Sequence, residues 1–289
     1  MYMLRFLLLL LLPSLSSCTN FLFVPTKAFP VTPDSADIAY EDVYLDTPDG
    51  VTLHGWKLYG DDDWLEKGKL KQQHAHQKAA GTIVFFHGNG DNVSRQLPNT
   101  FWLAKEGYDL YIFDYRSYGL SEGVADLDAI IGDMELMLAH VASQLPDDEK
   151  MIVMGHSLGA SMSIHAVAHS EYRDRIESLI TVEAFSDYHH VTQDILSRSW
   201  LFWLFQWPLS FTVSNEYRPL DAIGLVSPIP VCIIHSKNDE MIDMYHADRL
   251  FEAAREPKTF KLIDSGHNNV FVTKDNRQVL FDYLKTLRR

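Results

Sequence analysis

Met151 to Ala168 reads MIVMGHSLGASMSIHAVA. An apolar run, Met151 to Met154, meets Gly155-His156-Ser157-Leu158-Gly159, and a stretch rich in small residues follows. The pattern predicts a strand, a sharp turn and a helix. A serine at the tip of such a turn sits in a strained backbone conformation. Only small residues two places before and two places after let the chain pass that closely, and Gly155 and Gly159 supply them. The strain holds the Ser157 hydroxyl clear of the sheet and beside a helix N-terminus, where backbone N–H groups point outward. This is the G-x-S-x-G elbow.

The chain around it has 289 residues, 46% hydrophobic and 22% charged, which fits one large globular domain or two small ones. Its net charge is −14. Nothing in it resembles a basic stripe, so nucleic acid is not an expected partner.

The N-terminus is a separate object. Met1 to Arg5 carries one positive side chain, Phe6 to Leu12 is apolar, and Leu15-Ser16-Ser17 leads to Cys18. The apolar run is too short to span a bilayer comfortably. These are the three parts of a secretory signal peptide. The ending resembles the bacterial lipobox, in which the cysteine is lipidated and becomes the new N-terminus. An uncleaved anchor, or a signal peptide with an incidental cysteine, are the alternatives; only the lipobox explains a cysteine at this place. The expected division is therefore a signal peptide over 1–17, a lipid-anchored tether over 18–37 and one domain over 38–289. Thr19 follows the cysteine, where lipoproteins kept at the inner membrane often have Asp. The expected location is the bacterial cell envelope, on the outer membrane facing the periplasm. Asn20 to Asp37 contains Pro25, Pro30 and Pro33 and no periodicity, as a tether would. The other cysteine, Cys232, lies in the apolar run Ile229 to Ile234 and reads as a buried strand residue. A core of this size needs no disulfide.

Within the domain, Val43 to Leu45 and Val51 to Tyr59 flank the turn sequence Thr47-Pro48-Asp49-Gly50 and predict a hairpin. Residues 60–80 are polar without a repeat. His74 and His76 there read as part of a solvated loop rather than a metal site. Thr82 to Phe86, Tyr108 to Asp114, Ile176 to Val182, Ile229 to Ile234 and Thr259 to Ile263 predict buried strands. Helices are predicted up to Glu106, over Ala125 to Ser143, over Met241 to Ala254, and within Val270 to Leu287. Strands alternating with helices predict a doubly wound, mostly parallel α/β sheet. A short helical cap is expected at about 185–220. It contains Trp200 to Val213, WLFWLFQWPLSFTV, with three of the six tryptophans. This stretch is either a cap packing its own apolar face or an acyl-chain pocket and membrane-facing lid. On the second reading Trp203 and Trp207 are candidate substrate-binding residues.

A serine hydroxyl near neutral pH needs a base, and the base needs an orienting acid. In open parallel sheets such residues lie in loops after the strands. After the strand ending at Ile234 comes His235-Ser236-Lys237-Asn238-Asp239-Glu240; after the last strand comes Asp264-Ser265-Gly266-His267-Asn268-Asn269. The candidates are Ser157, Asp239 and His267, in the chain order that accompanies this elbow. Glu183, ending the earlier strand, is the alternative acid. His87 and His156 read as loop-fixing, His235 as structural, and Asp114 and Arg116 as tying down their own loop. Glu240 and Asp243 suit a helix start.

FFHGNG (85–90), DYRSYGLSEG (114–123), GHSLG (155–159), IIHSKND (233–239) and DSGHNN (264–269) occur in that order. Over residues 40–289 the chain thereby resembles serine hydrolases of the α/β-hydrolase fold, near the lysophospholipase-like, serine-aminopeptidase-like and protein-depalmitoylating branch. The resemblance implies an oxyanion hole made by the backbone N–H groups of Leu158 and Asn89, and no metal or organic cofactor. It implies acyl transfer to water from a carboxylic ester or thioester, lipid-like acyl substrates included. A peptidase or amidase would use the same residues. A non-catalytic envelope lipoprotein that uses the fold for binding is the third reading, and it would not need all of these groups.

The lipobox reading predicts a mature protein that begins at a lipidated Cys18. Mass spectrometry of the N-terminus checks it: an intact Met1, or an unmodified Cys18, is the contrary result.

Overall fold

The computed structural model describes residues 22–60, 79–198 and 200–287. Cys18 and the loop histidines His74 and His76 lie outside them. Eight strands form one sheet: β1 (Tyr40–Asp46), β2 (Thr52–Leu58), β3 (Gly81–Phe86), β4 (Tyr108–Phe113), β5 (Met151–His156), β6 (Ile176–Val182), β7 (Val231–Ser236) and β8 (Lys258–Ile263). Their spatial order is β1-β2-β4-β3-β5-β6-β7-β8. β1 pairs antiparallel with β2, and β2 with β4; every later pairing is parallel.

The central strands are apolar on both faces because helices cover both. Val84, Phe86, Met151, Val153, Leu179, Val231 and Ile233 join one core; Ile83, Phe85, Ile152, Met154, Ile180, Val182, Cys232 and Ile234 join the other. The period of two within each strand is what sends neighbours to opposite layers. The first layer is closed by α2 (Leu127–Gln144), α3 (Leu158–His169) and α7 (Met244–Ala253); the second by α1 (Val93–Lys105) and α8 (Lys274–Leu287). Cys232 is fully buried in β7, where burial pushes its thiol up to about 12. Among the described residues no helix is long and apolar enough to cross a membrane.

Three small helices, α4 (Tyr188–Ser197), α5 (Gln206–Ser210) and α6 (Pro219–Ala222), lie between β6 and β7 and form the cap. Gln193 donates to the buried Ser210 hydroxyl at 2.9 Å, which ties α5 to α4.

Two features differ from expectation or add to it. The segment read as a tether lies along the domain from residue 22 onward. Phe23 and Ile38 are buried in the two cores. Asn92 donates to the carbonyls of Thr26 (3.2 Å) and Ala28 (2.8 Å), and Val31 N–H donates to Ser94 at 2.9 Å. Extended, proline-punctuated backbone has unpaired polar groups to offer, and α1 and the loops after β3 and β4 use them. Second, Arg116 does more than fix its own loop. It grips Asp133 of α2 with two hydrogen bonds of 2.6 and 2.7 Å and reaches Asp49 in the β1–β2 turn at 3.0 Å.

At the elbow, β5 turns into α3 with Ser157 at φ 53°, ψ −116°. A Cβ on Gly159 would come within 2.3 Å of the Phe86 carbonyl oxygen, and one on Gly155 within 2.6 Å of Ala160 Cα. Both obstacles are backbone, so no rotamer relieves them. Gly159→Ala should therefore lower stability by about 1–3 kcal/mol or more, as overpacking of a rigid core does. Urea denaturation measures it; a loss under about 0.5 kcal/mol, the range of neutral surface changes, would contradict the packing argument.

Candidate active site

Three strand ends in the same half of the sheet converge, with β6 between the first two. β5 carries Ser157, β7 leads into the loop with Asp239, and β8 leads into the loop with His267. His267 Nδ1 lies 2.8 Å from Asp239 Oδ2, and His267 Nε2 lies 3.0 Å from Ser157 Oγ. A carboxylate only accepts, so Nδ1 carries the proton and Nε2 is left to accept from the serine hydroxyl. Asp239 Oδ1 accepts from the N–H groups of Met241 (2.7 Å) and Ile242 (2.8 Å). Burial alone would raise the Asp239 carboxyl, but its hydrogen bonds and the His267 imidazole hold it well below the usual carboxylate range.

The surrounding groups position this trio. His156 Nε2 donates to the His267 carbonyl at 3.0 Å, and burial, with the nearby His267, pushes the His156 imidazole down to about 3, so it stays neutral. His235 Nε2 donates to the Ile242 carbonyl at 3.0 Å and so braces the loop that carries Asp239. Glu240, which the sequence suggested for a helix start, accepts instead from the His267 N–H at 3.1 Å. The helix begins later, at Met244. Nothing in the local sequence distinguishes that use of Glu240 from a dipole partner.

Glu183 ends β6 beside the trio, fully buried and at φ 55°. Its two oxygens have no hydrogen-bond partner. Ligand atoms of Glu183, Asp239 and His267 lie within 4.8 Å of one another. Burial first, and then the adjacent Asp239 carboxylate, push the Glu183 carboxyl up to about 10. It is therefore a neutral acid next to an ionised one. This donor set is one that could hold a metal, but both His267 nitrogens are already committed, one to Asp239 and one to Ser157.

The loop after β3 closes the other side. A Cβ on Gly88 would lie 2.9 Å from His156 Nδ1 and 3.5 Å from Ser157 Cβ, so its backbone runs against the serine. Asn89 and Leu158 both face the same cavity as Ser157. Leu158 is the first residue of α3, where N–H groups have no intrahelical acceptor. The Asn89 side chain is taken up elsewhere. Its Oδ1 accepts from Val24 N–H (2.8 Å) and Tyr118 OH (2.7 Å), and its Nδ2 donates to the Leu22 carbonyl. Only its backbone remains for the site. The residues that hold it, Leu22 and Val24, were missed from sequence because they act through main-chain groups and leave no pattern.

The cavity has a volume of about 750 Å³ and reaches from Ser157 and His267 into the cap, past Phe185, Tyr188, Val191 and Leu209. Trp203 and Trp207, the substrate-binding candidates, are not among its lining residues. Both are more than half exposed on the outer side of the cap. Trp207 and Leu209 are two residues apart in α5, about half a turn, so Leu209 faces the cavity and Trp207 does not; Trp203 lies before α5.

A family model described as serine aminopeptidase S33 matches residues 77–219, which contain Asn89, Ser157 and Glu183 but end before Asp239. An uncharacterized protein, YfhR, of Salmonella typhi is 27% identical over 258 residues, covering 85% of this chain and 79% of that protein. The α/β hydrolase domain-containing protein WAV2 of Arabidopsis thaliana is 27% identical over 285 residues, covering 91% and 86%. An esterase structure from Pyrococcus furiosus superposes with a TM-score of 0.68 at 17% identity, covering 91% of this chain and 97% of that one. The architecture is that of the α/β-hydrolase fold, as the motif order implied, and the likenesses together support a hydrolase built on it.

The two carboxyls should separate in two measurements. Asp239→Asn should lower ester turnover by about three to four orders of magnitude, and Glu183→Gln by less than about tenfold. Stability gives the second readout. The fold raises Glu183 from 4.5 to about 10, so between those values the native state holds a proton that the unfolded chain releases. Its contribution to stability then falls as pH rises through that window. Glu183→Gln removes the dependence, so its Tm relative to wild type should climb from pH ~5 to pH ~9. A flat difference, or a larger activity loss in Glu183→Gln, would make Glu183 the ionised partner of His267.

Proposed function

We propose that this chain is a serine hydrolase that cleaves carboxylic esters or thioesters, including lipid-like acyl substrates, and that it works at a membrane to which Cys18 attaches it through lipid. The observation that carries the reading is the hydrogen-bonded series Ser157–His267–Asp239 at one end of a largely apolar cavity.

In this mechanism Ser157 Oγ attacks the acyl carbonyl carbon while its proton passes to His267 Nε2. Asp239 stabilises the imidazolium that forms and keeps it oriented. The negative charge developing on the carbonyl oxygen is met by the N–H groups of Leu158 and Asn89. The tetrahedral intermediate collapses, and the departing alkoxide or thiolate takes the proton from Nε2. Water then attacks the acyl-enzyme, giving its proton to Nε2, which returns it to Ser157 as the carboxylic acid leaves. The apolar wall of Phe185, Tyr188, Val191 and Leu209 suits an acyl chain, each buried CH₂ contributing about 0.8 kcal/mol. That lining favours an acyl group over the charged end of a peptide.

Ser157→Ala should stay folded, lose labelling by a fluorophosphonate, and lose nitrophenyl ester hydrolysis by several orders of magnitude, here about 10⁴ or more. Near-wild-type turnover in this variant would remove the serine mechanism. In wild type, kcat/KM should rise with acyl chain length until the cavity is filled.

A further inference from the structure

Trp200, Leu201, Phe202, Trp203, Leu204, Phe205, Trp207, Leu209 and Phe211 are all exposed, Trp200 at 88% and Leu204 at 72%. They account for every large apolar side chain between 200 and 211, and no charged residue interrupts them. Six are aromatic. At 150–250 Å² per ring system they present on the order of 700 Å² of apolar surface, more than the largest patch of a typical soluble monomer. The rest of the chain carries a net charge of −14, so this face is an exception to its own surface.

The position of the face says what covers it. The cavity that contains Ser157 opens between exposed apolar residues, Val24, Ile195, Leu209 and Met241. Leu209 belongs to the aromatic face itself. Val24 belongs to the N-terminal segment, and Leu22 beside it lines the same cavity. The described residues thus begin at the cavity mouth. Upstream of Leu22 the sequence holds Cys18 and the apolar run Phe6 to Leu12. Four Cα steps separate Cys18 from Leu22, at most about 14 Å. A membrane holding that upstream sequence is within reach of the mouth and of the cap face next to it. Tryptophan at such a boundary is favourable, because its ring is apolar and its N–H stays hydrated.

We propose that the cap face Trp200–Phe211 docks on a lipid bilayer, its aromatic side chains in the interfacial layer, so that the Ser157 cavity opens directly onto the membrane. This deepens the membrane-attached hydrolase reading and rests on it for the source of substrate. An acyl lipid would then enter from the bilayer past Leu209 and Val24 without crossing water.

The test uses the full chain reconstituted into vesicles of phosphatidylcholine and phosphatidylglycerol, with bromine on the acyl chains. Bromolipid should quench the tryptophan emission of wild type, and the quenching should be largely lost in Trp200→Phe/Trp203→Phe/Trp207→Phe, which keeps Trp56, Trp64 and Trp102. A second variant, Leu204→Asp/Phe205→Asp, alters exposed positions outside the cavity. It should lower kcat/KM for a vesicle-borne long-chain ester by about tenfold or more, since an acidic side chain is costly in the bilayer. For a soluble short-chain ester it should stay within about twofold of wild type, as surface changes do. Absence of quenching in wild type, or equal quenching in the triple variant, overturns the proposal. So does a wild-type dimer that Leu204→Asp/Phe205→Asp converts to monomer, because the face is then a self-association surface. Loss of turnover on the soluble ester in wild type would count against the hydrolase reading instead, and the quenching result would still decide the docking.

Discussion

The rest of the structure depends on one tight passage of backbone past backbone. Ser157 stands at φ 53°, ψ −116°, and α3 begins so close to β3 that Gly159 has no room for a methyl group. A conformation of that kind persists only where its surroundings over-determine it. Here β5 lies between β3 and β6, and Ser157 N–H donates to the Val182 carbonyl at 2.8 Å. The same passage brings the β3 loop to the serine. The strain, the central position of the strand and the nearness of Asn89 are thus one arrangement.

The second organising fact is the pair of carboxyls at the ends of β6 and β7. They are close enough that both cannot ionise cheaply, and their environments divide the roles. Asp239 has two backbone N–H donors and the imidazole. Glu183 is fully buried, and His235 Nδ1, 3.4 Å from its Oε2, has no proton to give while Nε2 donates to the Ile242 carbonyl. A neutral acid beside the His267–Asp239 pair leaves a single negative charge to orient the imidazole, so the proton on Nδ1 is held without a competing carboxylate.

The strand–helix alternation and the order of the motifs were legible because each rests on local residue type: glycines at a close approach, apolar runs for doubly covered strands, turn residues after them. The convergence of Ser157, Asp239 and His267 followed from strand ends alone. What the sequence hid was the use of main-chain groups and of facing. The segment 22–39 has prolines and no period, as a tether does, and only the partners on α1 and the β4 loop reveal that it is bound. Trp203 and Trp207 sit in an apolar stretch too short and too uniformly apolar for periodicity to say which side chains turn inward. Glu240 is one acidic residue among several, and its partner, the His267 N–H, is 27 residues away in sequence.

Under the proposed lipid attachment at Cys18, the bound N-terminal segment changes the kinetics of encounter. An 18-residue free linker from Asn20 to Asp37 would let the domain roam about 60 Å from its point of attachment; one that ends at Leu22 allows about 14 Å beyond Cys18. The volume searched shrinks by roughly two orders of magnitude, and the effective concentration of anything in the same leaflet rises accordingly. A domain attached in that way exchanges range for dwell: molecules in an opposing membrane fall outside its sphere, while those diffusing laterally past the attachment point meet it again and again. Because the segment that would set this radius also grips Asn89, the proposed attachment ties reach and active-site geometry to the same few residues.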